Sequence, residues 1–284
     1  MQNLKMVIRK MLLGFFLIST IFIWYGVFAE NRGGLMTVAF LDIGQGDAIF
    51  IETPSGKQIL IDSGPNKKVL QELAKQMPFY DRSIDILIET HPDLDHIGGF
   101  PSVLNSYEVD LVFSSGVSCE KAICEELEKD ILEEGVEEKI LTRGDILNLG
   151  DGVYLEVLFP DRDAFGFETN MASLVMKLVY GENSFLLTGD SPKAIEEYLI
   201  LLDRENLDID VLKLGHHGSK TSTSDYFVGI TSPEIAVISV GGDNRYGHPH
   251  QEVLDILNDF EVEIFRTDKQ GTIIIQSDGK NLIY

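Results

Sequence analysis

The chain has 284 residues, 44% of them hydrophobic, with 26 glycines, 9 prolines and two cysteines. That composition excludes a disordered, collagenous or disulfide-framework protein and suffices for one large core. The formal net charge of −23 argues against tight, non-specific binding of long polyanions, which rests on lysine- and arginine-rich faces.

The first element is a leader. Lys5, Arg9 and Lys10 precede an uncharged run over residues 11–29, just long enough to span a bilayer as a helix. No face of it is polar, which excludes an amphipathic core helix. Basic residues before the run and Glu30 after it put the N-terminus in the cytoplasm and the rest outside. The expected location is therefore the cell membrane, as a single-pass protein. Val27-Phe28-Ala29 also fits a signal-peptidase site, so secretion after cleavage near Ala29 is the alternative. The expected division is 1–34 as anchor and linker and 35–284 as one globular domain. The leader takes three of the 23 basic residues, leaving 20 against 46 acidic ones, a net of −26.

Alternating or apolar runs at 36–41, 47–52 and 57–61 read as strands, the last two turned at Pro54-Ser55-Gly56. Residues 66–77 read as a helix and 84–89 as a buried strand. A helix begins at 101–105, a strand covers 109–114, and 120–134 is an amphipathic helix. At the start of that stretch, Cys119 and Cys124 could form a local disulfide in an oxidising compartment. Short strands follow near 138–141, 154–159, 173–180 and 184–187, then a helix over 192–203 and a strand at 211–214. Residues 224–230 and 252–260 read as helices, with strands at 235–240, 263–266 and 271–276. Strands dominate both halves and each half carries helices. The economical fold class is α+β, a four-layer αββα sandwich with ligand-bearing strand ends at one edge.

Those strand ends carry the chemistry. The 84–89 strand runs into His91-Pro92-Asp93-Leu94-Asp95-His96, four metal-ligand side chains in six positions, followed by Gly98-Gly99. All six histidines fall in three short segments: His91 and His96, His216-His217, and His248 with His250. Clustering behind apolar runs is what a site assembled from strand ends requires. Leu187-Thr188-Gly189-Asp190 ends another apolar run in a lone carboxylate, a candidate to bridge two metals. Adjacent side chains in extended backbone point opposite ways, so one of His216 and His217 is expected to bind metal. His217 is the favoured ligand, and His216 would line the pocket or donate to substrate. Ser219 and Lys220, just before a helix start, could hold a phosphate. His248 is a candidate to clamp an oxyanion or protonate a leaving group, with His250 behind it or exposed.

Five motifs stand in one order: Phe40-Leu41-Asp42-Ile43-Gly44-Gln45-Gly46-Asp47-Ala48, His91-x-Asp93-x-Asp95-His96, Leu187-Thr188-Gly189-Asp190, Leu212-Lys213-Leu214-Gly215-His216-His217-Gly218-Ser219 and Tyr246-Gly247-His248-Pro249-His250. Together they resemble the metallo-β-lactamase-like domain of ComEC-type competence proteins, over about residues 35–284, without that family's many-span channel region. The resemblance implies two divalent ions, Mn²⁺ or Zn²⁺. It puts His91 and Asp93 on one, Asp95, His96 and His217 on the other, and Asp190 between them. It also implies hydrolysis, of phosphodiesters first of all, with DNA among the candidate partners. Two departures stand out: Asp93 replaces the usual second histidine, and Asn170 falls where a further histidine ligand would lie. An oxygen-rich first site favours harder ions or weak filling. Asp95 is a candidate to orient the attacking water, and Asn170, Ser173 and His248 to hold phosphoryl oxygens. The same fold could cleave a β-lactam, a thioester or a phosphocholine ester, or hold metal as a staple in a non-catalytic surface protein.

Overall fold

The computed structural model describes residues 2–29 and 33–284; Glu30 and the side chains of Val27, Phe28 and Ala29 lie outside the described residues. Helix α1 (Gln2–Ala29) contains a 21-residue segment, Leu4–Trp24, with mean hydropathy 2.0 and none of it buried, long and apolar enough to cross a membrane.

The chain then runs through β1 (Met36–Phe40), β2 (Ile49–Glu52), β3 (Gln58–Ile61), α2 (Lys68–Gln76), β4 (Ser83–Ile88), α3 (Leu94–Ile97), α4 (Phe100–Leu104), β5 (Glu108–Ser114), α5 (Ala122–Glu134) and β6 (Glu137–Ile140). A second set follows: β7 (Ile146–Gly150), β8 (Val153–Phe159), β9 (Val175–Tyr180), β10 (Asn183–Leu187), α6 (Lys193–Asp203), β11 (Val211–Lys213), α7 (Asp225–Thr231), β12 (Ile235–Ile238), α8 (Gln251–Asp259) and β13 (Glu263–Arg266). Short α9 (Thr267–Gln270) leads back to β14 (Ile273–Ser277) and β15 (Leu282–Ile283). The first sheet has order β15-β14-β1-β2-β3-β4-β5-β6, the second β13-β12-β11-β10-β9-β8-β7. The expected αββα sandwich is the fold observed.

Both faces of each sheet are covered, so the central strands read as continuous apolar runs rather than as alternation. In β3, Ile59 and Ile61 face the second sheet, meeting Phe185, Leu187 and Val211 in the core between the sheets, while Leu60 packs outward on Val69 and Leu73 of α2. In β11, Val211 points into that inter-sheet core and Leu212 outward, where Leu199, Phe227 and Val253 cover it. Two strands escape the sequence reading. β7 carries Asn148 and Gly150 at a register shift on a sheet edge, and its Asn-Leu-Gly-Asp-Gly reads as a turn. β15 is two residues long. The strand expected from Ser173 starts at Val175, because Asn170–Ala172 forms a single helical turn.

Registers fix where the chemistry gathers. β3 and β4 are parallel with Ile61 opposite Ile88, and β10 and β11 are parallel with Leu187 opposite Lys213. Residues just past those ends, Asp62, His91, Asp190 and His217, are therefore delivered to one edge of the sandwich. Cys119 and Cys124 are joined in a disulfide ahead of and within the first turn of α5.

Candidate metal centre

The loop between β4 and α3 carries His91, Asp93, Asp95 and His96, and the chain nearby is trimmed to let it pack. A Cβ at Gly46 (φ +127°) would lie 2.1 Å from the Asp95 carbonyl oxygen. One at Gly99 would lie 2.4 Å from the Ser63 carbonyl oxygen. No larger residue fits at either point without moving backbone, which explains the glycines that flank the motif.

Asp190, only 3% exposed, sits at the middle of the cluster. Its Oδ1 lies 3.3 Å from His96 Nε2 and 3.7 Å from His217 Nε2. Its Oδ2 lies 3.9 Å from His91 Nε2 and 3.7 Å from His216 Nε2. One carboxylate thus faces two donor sets, one oxygen to each. Asp95 Oδ2 stands 3.5 Å from His217 Nε2 on the first set, and Asp93 Oδ2 stands 3.9 Å from His91 Nε2 on the second. His91 Nε2, His96 Nε2, His217 Nε2 and Asp190 Oδ1 are all buried with no hydrogen-bond partner. Each such orphan costs about 1–3 kcal/mol, so four converging on one spot call for a ligand. Atoms sharing a divalent ion at about 2 Å are roughly 3–4 Å apart, which is the spacing found. The donor set fits divalent metal.

The two histidines of the His216-His217 pair both reach the cluster, contrary to the alternation expected of extended backbone. The reason is conformational: His216 (φ 48°, ψ 45°) and His217 (φ 55°, ψ 27°) are both left-handed. Each such residue costs on the order of 1–3 kcal/mol, strain of a kind that concentrates at functional sites. His217 falls with Asp95 and His96, while His216 falls on the His91 side, where the sequence lacks a histidine.

Behind the inward nitrogens, the four imidazoles around Asp190 are each held at Nδ1. His96 Nδ1 donates to Asp62 Oδ2 at 2.7 Å, and the Thr90 hydroxyl and amide donate to the same carboxylate. His91 Nδ1 contacts the hydroxyls of Thr90 and Ser173, each at 3.0 Å. His217 Nδ1 donates to the Ser239 carbonyl at 3.0 Å, with Asp47 Oδ1 at 3.2 Å. His216 Nδ1 has Thr221 Oγ1 at 3.2 Å and Asn170 Nδ2 at 3.5 Å. Such partners set tautomer and ring orientation. Asp47 is in turn neutralised by Lys213, wholly buried, whose Nζ donates to Asp47 Oδ2 at 2.7 Å and to the Leu214 carbonyl at 2.8 Å.

Charge follows the same design. Burial alone would lower the His217 imidazole, but the Asp190 and Asp47 carboxylates overcome it and raise it to about 9. His96 is raised well above its usual value, Asp190 and Asp62 outweighing burial. Asp190 is held well below the usual carboxylate range by His217 and His96 despite burial. His91 is lowered to about 4 by burial and by the neighbouring His96. His248 is lowered to about 4 by burial and by His217 and His216, so it is neutral at pH 7.

The remaining expected site residues are less uniform. Asp93 gives one oxygen to Lys121, which lies between the bridged cysteines, leaving the other for the centre. His248 lines the cavity over the cluster, and the half-buried Asn170 touches His216. Ser173 does not face substrate: it is fully buried, its Oγ accepting from the Asp190 amide and touching His91 Nδ1. Ser219 is buried with its Oγ turned to Thr221, so its hydroxyl does not face the centre, while Lys220 is exposed and gives its backbone amide to His250 Nδ1. The sequence reading gave no site role to Asp62, Asp47, Lys213 or Thr90. The signal for Asp62 was present, since Ile59-Leu60-Ile61 ends in Asp62 as Phe185-Leu186-Leu187 leads to Asp190.

Replacing Asp62 with asparagine leaves His96 with a weaker anchor. We expect divalent-metal affinity to fall about 10- to 100-fold, as outer partners of ligating histidines usually contribute, with the far-UV circular dichroism unchanged. Competition with a chromogenic chelator measures it; equal affinity in both proteins would contradict the role.

A two-sheet αββα sandwich with a histidine–aspartate cradle at the sheet edge defines a class of metal-dependent hydrolases. The metallo-beta-lactamase superfamily pattern matches residues 41–242, and the chain belongs to that superfamily. It is 37% identical over 254 residues to ComE operon protein 3 of Bacillus subtilis (strain 168), covering 83% of this chain and 32% of that protein. It is 30% identical over 237 residues to Competence protein ComA of Neisseria gonorrhoeae, covering 83% and 31%. The chain thus spans about a third of the length of the curated relatives it matches. Among solved structures, the metallo-beta-lactamase fold protein YhfI from Bacillus subtilis superimposes with a TM-score of 0.57 at 11% identity, over 84% of this chain and 98% of that one, a likeness of fold.

Proposed function

We propose that the chain is a membrane-anchored phosphodiesterase that cleaves nucleic acid outside the cytoplasm, with residues 1–34 as anchor and 35–284 as the hydrolase domain. The observation that carries this is the split of the Asp190 carboxylate between two donor sets under a cavity of about 130 Å³. A structural metal site is closed by protein ligands. Here Asp95 and His216, with side chains 34% and 29% exposed, reach that cavity.

His91, Asp93, His216 and Asp190 would hold one cation, and Asp95, His96, His217 and Asp190 the other. When bound, two such ions bring a water's pKa near 7 and offset charge on phosphoryl oxygens. The protein's own groups do the rest. Asp95 is ionised, His217 and His96 holding its pKa down against burial, and can accept a hydrogen bond from the incoming water. Neutral His248, over the cavity, can donate a ring N–H to a phosphoryl oxygen. The buried Asp62, Ser173 and Asp47 keep the imidazoles aimed. The names of the two competence-related relatives favour nucleic acid among phosphodiesters. The uncharged stretch of α1 that follows Lys5, Arg9 and Lys10, and the Cys119–Cys124 disulfide, favour an anchored domain in an oxidising compartment.

The test is turnover by the full chain in detergent with Mn²⁺ or Zn²⁺, on single-stranded DNA, bis-(p-nitrophenyl) phosphate and nitrocefin. Cleavage of both phosphodiesters with nitrocefin intact is the expected result. Hydrolysis of nitrocefin alone would overturn the reading.

A further inference from the structure

The cavity over the centre does not end at His248. Gln45, Asp95 and Tyr246 line both it and a larger hollow of about 440 Å³ that continues past Leu94, Asn66 and Arg245. Two large apolar side chains face water there, Tyr246 at 66% exposed and Leu94 at 55%. Leu94 lies inside the metal motif between Asp93 and Asp95, so its exposure beside the centre is set by the motif itself. The Tyr246 ring stacks on His248 with centroids 5.6 Å apart and planes 26° from parallel, which fixes the ring at the mouth of the centre. The loop beneath is rigid: Asn244 accepts from the His248 amide at 2.9 Å and donates to the His248 carbonyl at 2.8 Å. Gln45 Nε2 is buried without a partner, an unused donor in the wall shared by the two cavities.

The hollow is poor in positive charge. Arg245 stands against Asp95 and Asp243, and the chain beyond the leader is strongly acidic. Such a surface cannot gather a long polyanion by phosphate contacts, so affinity near the centre must come from neutral groups. An exposed aromatic ring and an exposed aliphatic side chain lining one hollow, with an amide donor in its wall, suit a flat heterocycle with polar edges.

Resting on the phosphodiesterase reading above, we propose that this hollow is a nucleobase subsite. The base next to the scissile phosphate stacks on Tyr246 against Leu94, and Gln45 offers a hydrogen bond to its edge. The substrate class is a single-stranded nucleic acid or short oligonucleotide, read over one or two nucleotides rather than along a charged groove.

The experiment compares kcat/KM of the full chain on the dinucleotide dTpdT and on two analogues, each lacking one base. Wild type should lose on the order of tenfold when the base for this subsite is absent, the worth of one base stacked on an aromatic ring. Tyr246→Phe should keep that discrimination, whereas Tyr246→Leu should cleave dTpdT and the analogue at one rate. Raising salt from 50 to 200 mM should lower wild-type kcat/KM on a single-stranded oligonucleotide by less than about tenfold, where six to ten phosphate contacts would lose about 10³ or more. Equal cleavage of all three dinucleotides by wild type would overturn the subsite, as would a uniform loss across them in Tyr246→Leu or a steep salt response. Failure of the underlying reading looks different: bis-(p-nitrophenyl) phosphate and every dinucleotide would stay intact.

Discussion

Asp190→Asn is expected to lower turnover at least about a thousandfold while the protein stays folded. The substitution changes little volume but removes the charge that both donor sets share. It also replaces one carboxylate oxygen with an N–H₂ that donates, and either orientation of the amide points that group at imidazole nitrogens needed for metal. Metal-assisted hydrolysis draws several kcal/mol of transition-state stabilisation from its ions, and about 4 kcal/mol is a factor of a thousand. Near-UV circular dichroism and thermal melting establish the fold, and bis-(p-nitrophenyl) phosphate measures the rate. Turnover within tenfold of wild type would contradict a shared carboxylate.

Lys213→Met is expected to destabilise the domain by about 3–5 kcal/mol, the usual result of stripping one partner from a buried ion pair. Lys213 is 0% exposed and Asp47 1%, and the ammonium also satisfies the Leu214 carbonyl. Methionine fills the volume but leaves the Asp47 charge without its cation and that carbonyl without its donor. For a domain of this size the melting temperature should fall by roughly 6–20 °C. Adding Asp47→Asn should restore part of the loss, because the uncompensated charge is then gone, a coupling that a double-mutant cycle reads directly. The double variant would still bind metal more weakly, since Asp47 also faces His217 Nδ1. A melting temperature within two degrees of wild type for Lys213→Met would contradict the pair's role.

Much of the architecture was legible from residues that obey local rules. Runs such as Ile59-Leu60-Ile61 and Phe185-Leu186-Leu187 are buried on both faces, and polar side chains directly after them are delivered to the sheet edge. That logic places His91, Asp93, Asp95, His96 and Asp190 without any knowledge of pairing. It breaks at His216-His217, where the rule of alternation holds only for extended backbone and the actual left-handed turn brings both rings inward. Ser173 illustrates a second limit. A serine near a site can face substrate or stand behind a ligand, and only packing across β4 and β10 decides that it holds His91 and Asp190. The pairing of Lys213 with Asp47 was hidden for a third reason: the two are 166 positions apart, and nothing local in either motif points to the other. The acidic net charge looks different in this light, because Asp47, Asp62 and Asp190 are spent inside the molecule on lysine and imidazole partners.

The most direct test is the metal content of the purified full chain, measured by inductively coupled plasma mass spectrometry and located by anomalous diffraction. The account predicts about two divalent ions per chain, flanking Asp190, with the occupancy lost in Asp190→Asn. A protein that carries none after incubation with Mn²⁺ or Zn²⁺, with the imidazole nitrogens satisfied by water alone, would contradict it.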